Sequence, residues 1–220
     1  FKTDSIAPEQ IPYLGLLKSV LGYVDTENYT YGELFNEINA NTGGINCGVE
    51  VFDRADSTEE FQAMFSVRGK ALYTKMDFLF KMIGEILNSS KLEDTKRLYE
   101  IVASVKSRAQ VNLTGAGHST AVLRAAAYSS PMAAFQDEMA GIGYYQFIEK
   151  LEKDFEQRKE ETVEELCKLM KKILRPENFM ISYTGERESL ETVQKLAGAV
   201  KAGLGTEPVE KSEEKLTCTK

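Results

Sequence analysis

A histidine beside a serine is the pair in this sequence that most resembles a catalytic couple. His118, the only histidine, precedes Ser119 in the segment GAGHST. A histidine can activate a serine as a nucleophile for acyl transfer when the two side chains meet. Neighbouring residues rarely point at each other, and the strained G-x-S-x-G turn that presents such a serine is absent from the sequence. A surface or helix-capping role for His118 is therefore favoured, and a hydrolase that uses His118 is the weaker alternative.

Metal ligands are the second kind of reactive side chain to consider. A zinc site in a protein takes three or four ligands from His, Cys, Asp and Glu. The three cysteines, Cys47, Cys167 and Cys218, lie far apart and form no CxxC pair. One histidine and scattered thiols do not readily make a zinc site, so the sequence predicts no metal in this chain. The odd number of cysteines also favours a reducing compartment over a disulfide scaffold.

Two glycine motifs resemble phosphate-binding loops only superficially. Gly141-x-Gly143 lacks the third glycine and the preceding strand of a dinucleotide fingerprint. Gly69-Lys70 lacks the upstream glycine of a phosphate loop. The local motifs therefore identify no active site and no cofactor.

Charge and hydropathy argue against two further classes of partner. The chain has 27 basic and 34 acidic residues, a net charge of −7, and no basic stripe, which argues against nucleic acid. No apolar run approaches the roughly 20 residues that cross a bilayer, so no membrane partner is predicted. The chain starts with FKTDSIAPEQ and not with Met, and we expect it to be a piece of a longer protein.

The first part of the sequence predicts two helices followed by a hairpin. Apolar residues recur every three or four positions over residues 8–24, which is typical of a helix with one buried face. Thr30 and Glu33 form a capping box for a second helix, which is expected to end at the following Gly-Gly pair. The segments INCGVEVF and EFQAMFSVRG alternate apolar and polar residues and are predicted to be antiparallel strands.

The remainder predicts a helical stretch, one more strand and a last helix. Helical periodicity runs over residues 76–174, with breaks near Gly115 and over residues 154–157. NFMISYTG is predicted to be a third strand, and ESLETVQKLAGAVKAGL a final helix. Strands in one sheet with helices on one face predict an α+β, two-layer sandwich with an antiparallel or mixed sheet. We expect a single domain over residues 1–205 and a charged linker or tail over 206–220.

Three segments resemble one known family. They are LLKSVLGYVDTENYTYGELFNEINANTGGI, RAAAYSSPMAAFQDEMAGIGYYQFIEKLEKDF and ENFMISYTGERESLE. The first is specific and the others are supportive. Together they resemble the third domain of presequence proteases and falcilysin, a branch of the pitrilysin and insulinase family of zinc metallopeptidases. The resemblance covers about Ile6 to Leu190. It implies the α+β fold of the mitochondrial processing peptidase/LuxS-like type, as one of four related domains in a longer chain.

The resemblance also implies where catalytic residues would lie. In the first domain of such peptidases, a helix carries H-x-x-E-H, which binds zinc and supplies a general base. The corresponding helix here places Leu14, Leu17 and Lys18 at the ligand-equivalent positions. Leucine offers no lone pair, and a lysine ammonium repels a cation. The fourth domain would supply an Arg and a Tyr that lie beyond Lys220, so the resemblance implies no catalytic residue and no zinc in this chain, but zinc in the parent.

These observations lead to a non-catalytic function. We expect the chain to form part of the wall of a chamber that encloses unfolded peptide substrates, with the other domains of the parent peptidase as partners. The alternative is a free-standing module that binds a protein or peptide at an open sheet edge. The resemblance further implies a strand just before Phe1 in the same sheet. The expected location is the cytoplasm in a bacterium and an organelle matrix in a eukaryote.

Overall fold

A long antiparallel hairpin forms the sheet of this α+β protein. The computed structural model describes residues 1–55, 57–212, 214 and 216–219. Strand β1 spans Ile45–Arg54 and β2 spans Ser57–Gly69, paired from Ile45 opposite Gly69. Alternate residues of each strand face the helices because successive side chains of a strand point to opposite faces. On β2 this inward face contains the buried Ala63 and Phe65, as the alternation predicts.

Nine α-helices are found among the described residues. Their bounds are Ile11–Val20 (α1), Tyr31–Asn41 (α2), Met76–Ser89 (α3), Thr95–Gly115 (α4), Gly117–Ala126 (α5), Pro131–Ala140 (α6), Ile142–Lys153 (α7), Phe155–Ile173 (α8) and Leu190–Ala202 (α9). The predicted capping box is present at the start of α2. Glu33 donates its backbone N–H to Thr30 Oγ1 at 3.3 Å, and Thr30 donates its N–H to Glu33 Oε2 at 2.9 Å.

Helix α1 is the central element of the core. It packs against α4, α6, α7, α8 and β1. The helix is shorter than predicted: Pro8–Gln10 form one 3₁₀ turn before it. Its last turn closes at Val20, because Gly22 takes a left-handed backbone conformation with φ of 86°, which turns the chain out of the helix. Other elements surround the helix, and most of its side chains are buried.

The predicted third strand is wrong. Residues 179–184 have neither helix nor strand structure. The residue that takes the place next to β2 is instead Lys2, which forms an isolated antiparallel bridge with Met64. Two hydrogen bonds of 2.8 Å continue this pairing: the Phe1 ammonium donates to Phe65 O, and the Phe65 N–H donates to Phe1 O.

An open groove continues from this short pairing. It has a volume of about 740 Å³ and lies between residues 64–69 of β2 and residues 180–184. Phe52 and Met180, both more than a third exposed, are among its mostly apolar lining. The Lys2 N–H donates to Asn178 O at 3.0 Å on the side away from β2. The start of the chain therefore lies between two backbone segments, at one end of the groove.

The segment after α9 returns to the helices. Arg175 Nη1 donates to Glu207 O at 2.6 Å, Ser212 N to Ser5 O at 3.2 Å, and Thr219 N to Ala127 O at 2.9 Å. These bonds place the described residues of this segment against the surface of the domain. The boundary at residue 205 and the linker role of 206–220 stay predictions.

Candidate functional site

The ligand-equivalent positions on α1 are divided between the core and a cavity. Leu14 and Leu17 are 0% exposed, as the apolar pattern predicts. Their side chains belong to the main hydrophobic cluster. Lys18, one position further along the helix, lines a surface cavity. The correspondence of these three residues to metal ligands rests on the resemblance and stays a prediction, whereas their surroundings are apolar for the leucines and polar for the lysine.

Gly15 explains how α1 can be packed so closely at this point. A Cβ built on Gly15 would lie 2.7 Å from Met139 O of α6 and 2.7 Å from the Tyr144 ring of α7. Real Cβ atoms do not approach other atoms to that distance, so any larger residue would push the three helices apart. The glycine between Leu14 and Leu17 therefore permits the contact that buries both leucines.

The cavity beside α1 collects polar residues from four elements. Its volume is about 370 Å³, and its lining includes Lys18 of α1, Asn39 of α2, Asn46 of β1 and Arg108 of α4. Neither Lys18 nor Arg108 has a side-chain hydrogen bond or an ion pair in the part of the chain that the structure describes. Burial lowers the pKa of the Lys18 ammonium, and no carboxylate acts against that shift. The cavity is therefore a cationic concavity in an acidic chain.

The cavity also contains a thiol that is unsuited to covalent chemistry. Cys47 lines it, and burial raises the pKa of this thiol to about 12. A thiol nucleophile reacts as its thiolate, so Cys47 is an inert, neutral group near neutral pH. The arrangement of side chains can bind an anion, but it offers no nucleophile.

The other residues singled out in the sequence do not form a catalytic site. His118 and Ser119 are both exposed in the first turn of α5, and no hydrogen bond joins them within the described structure. A search of the described residues for three or more His, Cys, Asp or Glu side chains in a metal-binding arrangement finds none. Over the same residues, no helix is long and apolar enough to span a membrane.

Sequence reasoning missed the role of the Gly141-x-Gly143 motif. Asp137 of α6 is 0% exposed, and its carboxylate accepts the N–H of Ile142 at 3.0 Å and that of Gly143 at 3.1 Å. It also pairs with Arg124 Nη1 at 2.6 Å. A Cβ on Gly141 would collide with Asp137 Oδ1, so the backbone can wrap the carboxylate only because glycine stands there. The motif builds the α6–α7 junction and binds no phosphate.

Comparison with known proteins places the chain among peptidase-associated sequences. A family model described as peptidase-associated matches residues 1–151. Protein HypA of Clostridium perfringens is 34% identical over 191 residues, which are 87% of this chain and 19% of that protein. The mitochondrial presequence protease of Yarrowia lipolytica is 29% identical over 155 residues, 70% of this chain and 16% of that protein.

A plant relative extends the similarity to more of the chain. Presequence protease 1, chloroplastic/mitochondrial, of Arabidopsis thaliana is 25% identical over 195 residues, 89% of this chain and 18% of that protein. The chain thus spans less than a fifth of the length of these curated relatives. The similarity concerns one domain-sized part of much longer proteins.

Proposed function

Because the chain belongs to this peptidase-associated family, we propose that it is a non-catalytic domain of a zinc metalloendopeptidase of the presequence protease type. The observation that carries the proposal is the family match over a chain whose α1 buries Leu14 and Leu17 where peptidase domains would present metal ligands. The zinc and the general base would belong to another domain of the parent. This domain would support its neighbours and form part of the wall around an enclosed peptide.

The proposal includes partners and location. The other domains of the parent would be the permanent partners, and unfolded peptides would meet the wall transiently. The mitochondrial and chloroplastic names of two relatives support an organelle matrix for a eukaryotic parent, and we propose the cytoplasm for a bacterial one. These statements concern the parent protein, of which this chain would be one domain.

Zinc content provides the direct test. The isolated chain, purified without chelators, is expected to hold no stoichiometric zinc and to cleave no peptide, because two of the ligand-equivalent side chains are leucines in the core. Elemental analysis and a fluorogenic peptide assay measure both properties. The parent, expressed from its complete reading frame, serves as the positive control and is expected to hold one zinc per chain. One zinc per isolated chain would overturn the assignment.

A free-standing interaction module is the second candidate, and the open groove favours it. A sheet edge with unpaired backbone groups can take an added strand from a partner. The groove beside β2 offers such an edge between two backbone segments. The reading frame separates the two candidates: a frame of about four domains of 100–250 residues each supports the peptidase, whereas a frame that ends near Lys220 supports the module.

The groove leads to a second prediction under the peptidase proposal. Adding about ten residues, the length of a long strand, from the parent upstream of Phe1 is expected to raise stability and reduce self-association. Each new ladder hydrogen bond should contribute roughly 1 kcal/mol. The extension also replaces the Phe1 ammonium, whose pKa is lowered by burial, with a neutral peptide group. Thermal unfolding and sedimentation measure the two effects.

A matched extension controls for chain length. A Gly/Ser segment of the same length removes the terminal charge but supplies no apolar side chains to the groove. The natural extension is expected to exceed it in both midpoint temperature and monomer content. Equal behaviour of the two extended chains would show that no upstream strand occupies the groove.

A further inference from the structure

We propose that the cavity at the end of α1 is a binding site for a peptide carboxylate, held by Lys18 and Arg108. The class of ligand, a peptide, rests on the proposed function, whereas the preference for a carboxylate rests on the cavity itself. The polar groups that line the cavity are cationic and amide side chains, which suit an anion. Its role would be to hold an acidic side chain or a free C-terminus of an enclosed peptide against this domain.

The first argument is an uncompensated positive charge. Other cations of the described helices have acidic partners: Lys106 contacts Glu152 at 2.9 Å, and Arg158 contacts Glu161 at 3.1 Å. Lys18 has no such partner among the described residues, and no Asp or Glu lines the cavity there. A largely buried ammonium without an anion is unfavourable. A carboxylate from outside the chain would restore the missing charge-assisted interaction.

The second argument is the set of neutral donors in the same cavity. Asn39 and Asn46 line it, and neither side chain has a hydrogen bond within the described structure. An amide can donate to a carboxylate oxygen and can also bind the peptide groups on either side of it. Two cations and two free amides from four separate elements therefore converge on one volume of about 370 Å³.

The third argument distinguishes a peptide from a small inorganic anion. Tyr23 and Phe35, which are 48% and 56% exposed, contribute an aromatic rim to the cavity. Ile38 and Ile45 add aliphatic lining. Ligand sites of this kind combine apolar walls with a few polar groups that fix orientation. A peptide with an acidic residue next to apolar ones matches both parts, whereas phosphate would use only the polar part.

The test uses two blocked pentapeptides that differ in charge alone. They are acetyl-Ala-Leu-Glu-Leu-Ala-amide and the same peptide with Gln in place of Glu. Nuclear magnetic resonance titration of the 220-residue chain is expected to give a Kd of ~0.1–1 mM for the Glu peptide. The Gln peptide is expected to bind at least about tenfold more weakly, because a charge-assisted contact is lost. Binding of the Glu peptide should also weaken as salt is raised.

Three variants locate the binding. Lys18→Met keeps the length of the side chain and removes its charge, and Arg108→Gln removes the charge at an exposed position. Each is expected to weaken the Glu peptide about tenfold to hundredfold and to leave the Gln peptide unchanged. Lys201→Met on α9 is the matched control, since Lys201 is exposed and does not line the cavity. It should leave both affinities within about twofold.

Further outcomes are assigned in advance. Equal binding of the Glu and Gln peptides, or equal loss in Lys201→Met and Lys18→Met, would overturn the site. Inorganic phosphate that binds as tightly as the Glu peptide would overturn the assignment to a peptide. The same pentapeptide with a free C-terminus and Gln in place of Glu separates a terminal carboxylate from a side-chain carboxylate, and gain of binding in it supports the terminal form.

The stability of Lys18→Met addresses the structural explanation of this lysine. If Lys18 serves only to balance the carbonyls at the end of α1, the Met variant should lose stability and keep its peptide affinity. The proposed site predicts the reverse: lost affinity without lost stability. The outcome is independent of the zinc test. A parent that holds zinc and cleaves peptides, with a domain that fails to bind the Glu peptide, would contradict the cavity inference alone.

Discussion

Replacement of Leu17 by alanine is expected to lower the free energy of unfolding by about 2 to 5 kcal/mol. Leu17 is 0% exposed, and the helix that carries it packs against four other helices and β1. Gly15 already brings α6 and α7 to a very close approach, so the surrounding helices have little room to collapse into the space that the variant leaves. Urea unfolding followed by circular dichroism measures the change.

An exposed leucine provides the control for this prediction. Leu72, which precedes α3, is 76% exposed. Leu72→Ala makes the same chemical change and is expected to alter stability by less than about 0.5 kcal/mol. If the two variants unfolded at the same urea concentration, Leu17 would not lie in the core, and the interpretation of α1 as a structural helix would be wrong.

The second large effect is expected at Asp137. Asp137→Ala should lower the free energy of unfolding by about 3 to 5 kcal/mol, because it leaves a partly buried charge without its partner. The carboxylate pairs with Arg124 and accepts two backbone N–H groups at the start of α7. All three donors would lose their acceptor at once. The expected result is loss of the α6–α7 junction, measured as a lower unfolding midpoint.

The matched change on an exposed carboxylate separates burial from charge. Asp77 lies in the first turn of α3 and is exposed. Asp77→Ala should cost less than about 1 kcal/mol, the usual size of a charge effect at a helix N-terminus. Arg124→Met combined with Asp137→Leu is expected to be less destabilised than Asp137→Ala alone, since no unpaired charge remains. A double variant as unstable as the single one would contradict this account.

Periodicity predicted the elements that pair locally or bury one face. The hairpin appears where apolar residues alternate, and Thr30 with Glu33 caps α2 as their spacing requires. Such signals are reliable because each depends on residues that are close together in the chain. The segment 179–184 failed as a strand for the opposite reason. Its alternation suits a strand, but a strand also needs a paired neighbour, which no local pattern can supply.

The sequence by itself determined the α+β class, the helical stretch and the burial of Leu14 and Leu17. An apolar stripe must face a core whatever the rest of the fold does. The resemblance to a peptidase family also came from contiguous segments, and the match over residues 1–151 agrees with it.

Only the tertiary structure decided which polar residues meet. Lys18, Asn39, Asn46 and Arg108 come from four elements, and nothing in their spacing links them. Likewise, the two glycines after α6 acquire their meaning from Asp137, whose carboxylate the backbone encloses. In both cases the chemistry arises from side chains and backbone brought together by helix packing. The packing direction of helices depends on the whole set of contacts, which is why a local pattern could not reveal either site.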